Sequence, residues 1–322
     1  MPPSNLSSLT PDTVILTGIP GMEQLHVWIS IPFCSVYVAA LLGNGVLLLT
    51  MWTERSLQRP TYLFLAVLAV ADLTLSTTAV PKMLALFWFR AREISFSACL
   101  TQMFFLHFTT VAELKILLAM AFDRFAAICF LLRYGAVLTP TAVAKTGLAA
   151  LLRSFCIISP CVFLLRRLPF CGRTVIALTY CEHAGVACLA CADISANVWY
   201  GLAVPFSVAL LDLALIAVSY GFILLELSRL PSRPARRKAP HTCGSHACVL
   251  LLFHAPAVFT ALTQCFGRSI PPELHILLAN LYVLLPPLLN PAVYGVRTRQ
   301  TRDRVLKVFV RPRSRLPRQE RR

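Results

Sequence analysis

The chain has 322 residues, of which 57% are hydrophobic and only 14% charged, with a mean hydropathy of +0.70 and a formal net charge of +16. A soluble chain of this length carries about a quarter charged residues, so the composition excludes a water-soluble globular protein and predicts a polytopic membrane protein. The basic excess does not describe a nucleic-acid footprint: eleven of the 30 Lys and Arg follow Tyr294, and five more lie in "SRLPSRPARRK" (228–238). Basic clusters beside apolar segments orient a chain in a bilayer and attract anionic lipid.

In chain order, residues 1–26 contain no Lys or Arg and read as an extracellular tail, with a glycosylation sequon at Asn5-Leu6-Ser7. They lack the basic start and apolar core of a cleavable signal peptide, so the first span is expected to serve as its own insertion signal. Seven apolar runs follow, near 27–51, 60–82, 98–130, 141–165, 197–226, 242–265 and 272–295. Each is long enough to cross about 30 Å of hydrocarbon at 1.5 Å per residue. The expected fold is an all-α membrane protein with a seven-helix bundle spanning 27–295. The fourth run is interrupted by Lys145 and Arg153. A basic tail, 296–322, closes the chain; by the positive-inside rule it is cytoplasmic and the N-terminus extracellular, at the plasma membrane. Pro205, Pro256, Pro286, Pro287 and Pro291 each remove a backbone donor from a span and permit a kink.

Ionisable residues inside such runs are expensive. A charge at the bilayer centre costs about 2.5–3.5 kcal/mol on insertion scales, so each needs a position or a purpose. Asp72 lies about 18 Å above the cytoplasmic start of the second span, and Glu113 about 15 Å above Asp123 on the third. Both therefore fall near mid-membrane. Two carboxylates there are expected to share a proton or a sodium ion, or to join an inert network with Asn44 and Asn290. Asp123 and Arg124 lie 24 and 25 residues below Cys99, about 36 Å, which places them at the cytoplasmic edge. Higher up, His107 and Thr110 share one face of the third span, about 12 Å below Cys99, and His254 is similarly deep in the sixth. These depths suit a pocket open to the outside.

The outer cysteines are Cys99, at the start of the third span, and Cys171, Cys181, Cys188 and Cys191 in the long loop between spans four and five. Thiols on that side oxidise, so a bridge from Cys99 to a loop cysteine is expected, with the pairing open. "CEHAGVACLAC" (181–191) also admits a metal cluster through His183, the weaker alternative.

These motifs together resemble a family. "MAFDRFAAIC" (120–129) resembles the "MAYDRYVAIC" signature of olfactory receptors, a branch of the rhodopsin-like G-protein-coupled receptors. "PTYLFLAVLAVADL" (60–73) is similar to their second helix, "SYGFIL" (219–224) to the end of the fifth, and "RKAPHTCGSH" (237–246) to the start of the sixth. "PPLLNPAVYGVRTRQTRDRV" (286–305) resembles their seventh helix and the amphipathic helix after it. "LTGIPGMEQLHVW" (16–28) and the loop at 167–197 resemble the class I, fish-like branch, which is associated with polar and carboxylic odorants.

The resemblance implies the pairs Cys99–Cys181 and Cys171–Cys191, with Cys188 left over. It implies an odorant pocket on the third- and sixth-helix faces, with His107, Thr110 and Val111 on one side and His254, Val258, Ala261 and Cys265 on the other. It implies that Asp72, Glu113, Asp123, Arg124, Asn290, Pro291 and Tyr294 form the activation switch, with Asp123 restraining Arg124 at rest. The implied partners are a small odorant, a heterotrimeric G protein with an olfactory or stimulatory α subunit, and membrane lipid. The chain departs from the family pattern at Thr61 in place of methionine, at Phe125 in place of tyrosine, and at Phe130 and Leu131 in place of His and Pro. An acid ligand would depend on His107 or Arg268. No nucleophile with its base, phosphate loop or metal site stands out, so neither an enzyme nor a cofactor is expected. A transporter predicts inverted repeats, which the sequence does not show. A receptor-shaped protein with weak or lost coupling is the remaining alternative.

Overall fold

In a computed structural model, residues 10–53, 60–130, 132–229, 244 and 271–293 are described. Their elements, in order, are β1 (Thr13–Leu16), α1 (His26–Thr53), α2 (Pro60–Phe89), β2 (Glu93–Ser95), α3 (Phe96–Cys129), α4 (Tyr134–Val137), α5 (Pro140–Arg166), β3 (Val175–Ile176), α6 (His183–Ala187), α7 (Ser195–Arg229) and α8 (Pro272–Pro291). Six of these helices are long and apolar enough to cross a membrane. The span predicted at 242–265 and the tail at 296–322 lie outside the described residues. So do Asn5, His254, Val258, Ala261, Cys265, Arg268 and Tyr294.

Local chemistry sets several boundaries. Ser95 caps α3 by accepting from the Ala98 N–H, and Thr139 caps α5 by accepting from Ala142, with Pro140 at the first turn. Helix α2 continues to Phe89, seven residues past the end expected from sequence. Lys82 is accommodated within it, because its ammonium donates to the Ala91 and Glu93 carbonyls at 2.8 and 2.6 Å, so the charge is absorbed by the loop that follows.

The bundle is inverted relative to a soluble protein. Its outer faces carry large exposed apolar side chains, such as Leu42 at 64%, Leu148 at 58% and Leu210 at 58% exposure. Surface of that kind belongs in lipid. Inside, Asn44, Asp72 and Glu113 are fully buried. Helix α1 packs on α8 at Gly43, where an added Cβ would sit 2.9 Å from Pro291 Cγ. Only a residue without a side chain lets the Pro291 ring seat there.

The N-terminal segment is not a free tail over its described part. Strand β1 pairs antiparallel with β2 (Thr13 opposite Ser95) and parallel with β3 (Ile15 opposite Val175), giving the sheet order β2-β1-β3. Val14 and Leu16 of that strand are fully buried and join a cluster with Phe87, Met103, Phe170 and Ile176. This sheet ties the segment before α1 to the segment before α3 and to the loop before α7, so it roofs one end of the bundle.

Candidate functional site

The roof is fastened from below. Disulfides join Cys99 to Cys181 and Cys171 to Cys191. Cys181 and Cys191 therefore have no sulfur to offer a metal, while Cys188 is exposed and unbridged. Beside the first bridge, Gln102 of α3 accepts from the Cys181 N–H at 3.0 Å and donates to the Thr78 carbonyl at 3.0 Å. On the far side, Tyr180 donates to the Ala279 carbonyl and Thr179 to Asn280 Oδ1. Residues 179–183 are thus strung across the mouth from α3 to α8.

This strand of loop carries His183 to the bundle. His183 is 9% exposed, and its ring sits on α7 where Gly201 leaves space: a Cβ at Gly201 would lie 2.7 Å from its Nδ1. Burial pushes the His183 imidazole below its ordinary value. Among the described residues, the buried Nε2 atoms of His107 and His183 each have no hydrogen-bond partner. Buried polar atoms are ordinarily paired, so each orphan marks a place that a polar ligand or water completes. Thr110 uses its hydroxyl on the Leu106 carbonyl, three residues from His107, and Val111 beside it is buried. The structure therefore brings His107, Thr110 and Val111 together. His183 belongs with them although sequence gave it only a metal alternative. The signal for it was its place two residues after Cys181, which the bridge carries to the pocket roof.

At mid-membrane, Asn290 donates to both oxygens of Asp72, at 2.9 and 3.1 Å. Asn44 donates to the carbonyls of Ala40 and Pro287, at 3.0 and 2.8 Å. The second bond follows from Pro291. Proline has no N–H for the carbonyl four residues earlier, and Asn44 supplies the missing donor across the bundle. Glu113 is fully buried, and neither carboxyl oxygen has a partner among the described residues.

At the end of α3 away from the disulfides, Asp123 is 1% exposed and accepts from Thr61 at 2.8 Å and from Tyr134 at 2.7 Å. It makes no ion pair with Arg124 among the described residues. Consecutive helical side chains diverge by about 100°, so the neighbours face different ways. The expected Asp123–Arg124 restraint is replaced in this state by a tether from α3 to α2 and α4. Sequence marked Thr61 only as a departure from the family; its hydroxyl is what reaches Asp123.

Along α3 the structure thus sets His107 beneath the disulfide-fastened loop, then the buried carboxyls of Glu113 and, on α2, Asp72, then the tethered Asp123. Comparison with known proteins identifies the family. A family model for the olfactory receptor matches residues 33–312. Human olfactory receptor 52B2 is 56% identical over 306 residues, covering 95% of each chain. Human olfactory receptor 52H1 is 54% identical, covering 95% of this chain and 97% of its own, and human olfactory receptor 52D1 is 53% identical, covering 96% and 98%. The class I branch read from the sequence fits these relatives. The family is not enzymatic, and its architecture is a multi-pass membrane bundle of seven helices. This chain belongs to the olfactory receptor family.

Proposed function

We propose that the chain is an odorant receptor of the plasma membrane that binds a small polar or carboxylic odorant beside His107 and activates a heterotrimeric G protein of the cAMP-raising type. The observation that carries the ligand class is the pair of orphaned ring nitrogens on His107 and His183 under the disulfide-pinned loop. A neutral imidazole donates through one nitrogen and accepts through the other, so the tautomer adapts to the ligand. Thr110 and Val111 continue the wall on α3, and His254, Val258, Ala261 and Cys265 are the opposing wall that the family resemblance assigns. The N-terminus faces out and the basic tail faces the cytoplasm, where anionic lipid and an olfactory or stimulatory α subunit meet it.

No covalent step is needed. Ligand binding works by its differential affinity for the active and resting bundles. The resting bundle is held by Asn290 on Asp72 and by Thr61 and Tyr134 on Asp123. Glu113, with both oxygens unpartnered, shares a proton or sodium ion with Asp72, and loss of that cation accompanies activation. When the Asp123 tether to Thr61 and Tyr134 opens, α3 moves and Arg124 at the cytoplasmic edge faces the G protein, while Pro291 and Tyr294 accommodate the movement of the last span.

The test is ligand-dependent cAMP accumulation in transfected cells, with surface staining as the trafficking control, over aliphatic acids and the matching alcohols. The reading requires acids to activate the receptor. A panel in which acids stay silent while neutral odorants activate it would overturn the ligand class. A well-expressed chain silent to every odorant would favour the receptor-like protein with lost coupling.

A further inference from the structure

Helices α3, α5 and α7 meet at an ion cluster apart from the His107 pocket and from the cytoplasmic tether. Lys115 Nζ lies 3.0 Å from Asp212 Oδ1, and Arg153 Nη1 lies 3.3 and 3.1 Å from its two oxygens. One carboxylate thus faces two cations, leaving one surplus positive charge. Asp212 is 1% exposed, whereas the side chains of Lys115 and Arg153 keep 27% and 23% of their surface. Neither cation makes a further hydrogen bond among the described residues, although an ammonium has three donors and a guanidinium five.

The depth makes this unusual. Thirteen residues of α5 lie on either side of Arg153, and seventeen of α7 on either side of Asp212. Thirteen residues rise about 20 Å, which reaches past either edge of the hydrocarbon core from its middle. One helical turn on from Arg153 and Asp212, Cys156 on α5 and Leu215 on α7 are exposed on the same side. A surplus charge with spare donors therefore opens sideways into the apolar slab, where charges are neutralised by pairing.

We infer that this lateral face of α3, α5 and α7 docks a second membrane-spanning helix carrying an Asp or Glu near the bilayer centre. Depth selects that partner. The carboxylate of a fatty acid sits at the interface, about 15 Å away. A helix, with every backbone group bonded internally, delivers a carboxylate at the midplane. A second copy of this chain does not fit. Its acids at this depth, Asp72, Glu113 and Asp212, are buried in their own bundle, and residues 242–265 contain none.

The test uses purified full-length receptor in phosphatidylcholine vesicles with labelled synthetic spanning helices of leucine, carrying a central Asp, a central Asn or neither. Energy transfer is expected to favour the Asp helix over the all-leucine helix by on the order of tenfold in affinity, with Asn between them. Arg153→Leu and Lys115→Leu each leave a neutral pair with Asp212 and are expected to abolish the preference; a monodisperse elution profile shows that each variant is folded. Equal binding of all three helices would overturn the inference, as would an Asp preference that survives in both folded variants. Selective labelling of α5 by a photoreactive oleate, without any helix preference, would assign the charge to lipid and equally overturn it.

Discussion

In the lower half of the bundle, Asp123 takes one hydrogen bond each from Thr61 and Tyr134, and toward the middle Asp72 takes two from Asn290. In the upper half, beneath the disulfides, His107 and His183 each keep a buried ring nitrogen without a partner among the described residues. Glu113, six residues along α3 from His107, has two oxygens unpartnered among the described residues. The lower half spends its polar groups on holding α2, α3, α4 and α8 to one another. The upper half leaves those two ring nitrogens open, while Gln102, Thr179 and Tyr180 join the disulfides in holding the roof in place. The difference teaches where a ligand acts and what it acts against: binding energy gained above is set against hydrogen bonds held below.

Breaking the roof carries the largest expected effect. Cys99→Ser opens a loop of 82 residues of sequence separation. Closure of a loop that long contributes about 4 kcal/mol on the chain-entropy model. Surface staining is expected to fall to background, and normal staining would show that Gln102 and the sheet hold the roof unaided. Next is Asn290→Leu, which leaves the buried Asp72 carboxyl without either bond. Hydrogen bonds to charged groups contribute about 1.5–3 kcal/mol, so detergent-solubilised receptor is expected to unfold at a clearly lower temperature.

Thr61→Met restores the residue usual in the resembling family and removes one bond to Asp123. The expected cost to the resting state is about 1.5 kcal/mol, a roughly tenfold change in its equilibrium. Basal cAMP at equal surface level should rise while the odorant concentration for half response falls. Unchanged basal signalling would show that Tyr134 alone holds Asp123. Smallest is Gly201→Ala, where the new Cβ displaces the His183 ring at a cost of about 1 kcal/mol. It should weaken the odorant response severalfold and leave basal signalling unaltered, which separates upper from lower half in one receptor.

The spans were legible because apolar runs of twenty or more residues have no other stable home, and α3, α5 and α7 lie within three residues of their expected ends. The far end of α2 was not, because the fate of Lys82 depends on carbonyls nine and eleven residues later. Strand β1 is four residues, "TVIL", whose partners lie about 80 and 160 residues away, so nothing local announces it. Asp72 stood out by its depth; Asn290 bonds it, whereas Asn44, named with them in the sequence, instead donates to the Ala40 and Pro287 carbonyls. His183 was missed because its position depends on the loop folding back. Arg153 looked like a flaw in the fourth span because its counter-ion, Asp212, is 59 residues onward.

The most direct measurement is an odorant dose–response for His107→Ala and for His183→Ala, with basal cAMP and surface staining recorded in the same cells. If the unpartnered nitrogens hold the ligand, each variant loses one hydrogen bond to it. The half-response concentration then rises by roughly tenfold, with basal signalling and surface level unchanged. Dose–response curves that superimpose on the parent for both variants would contradict the account.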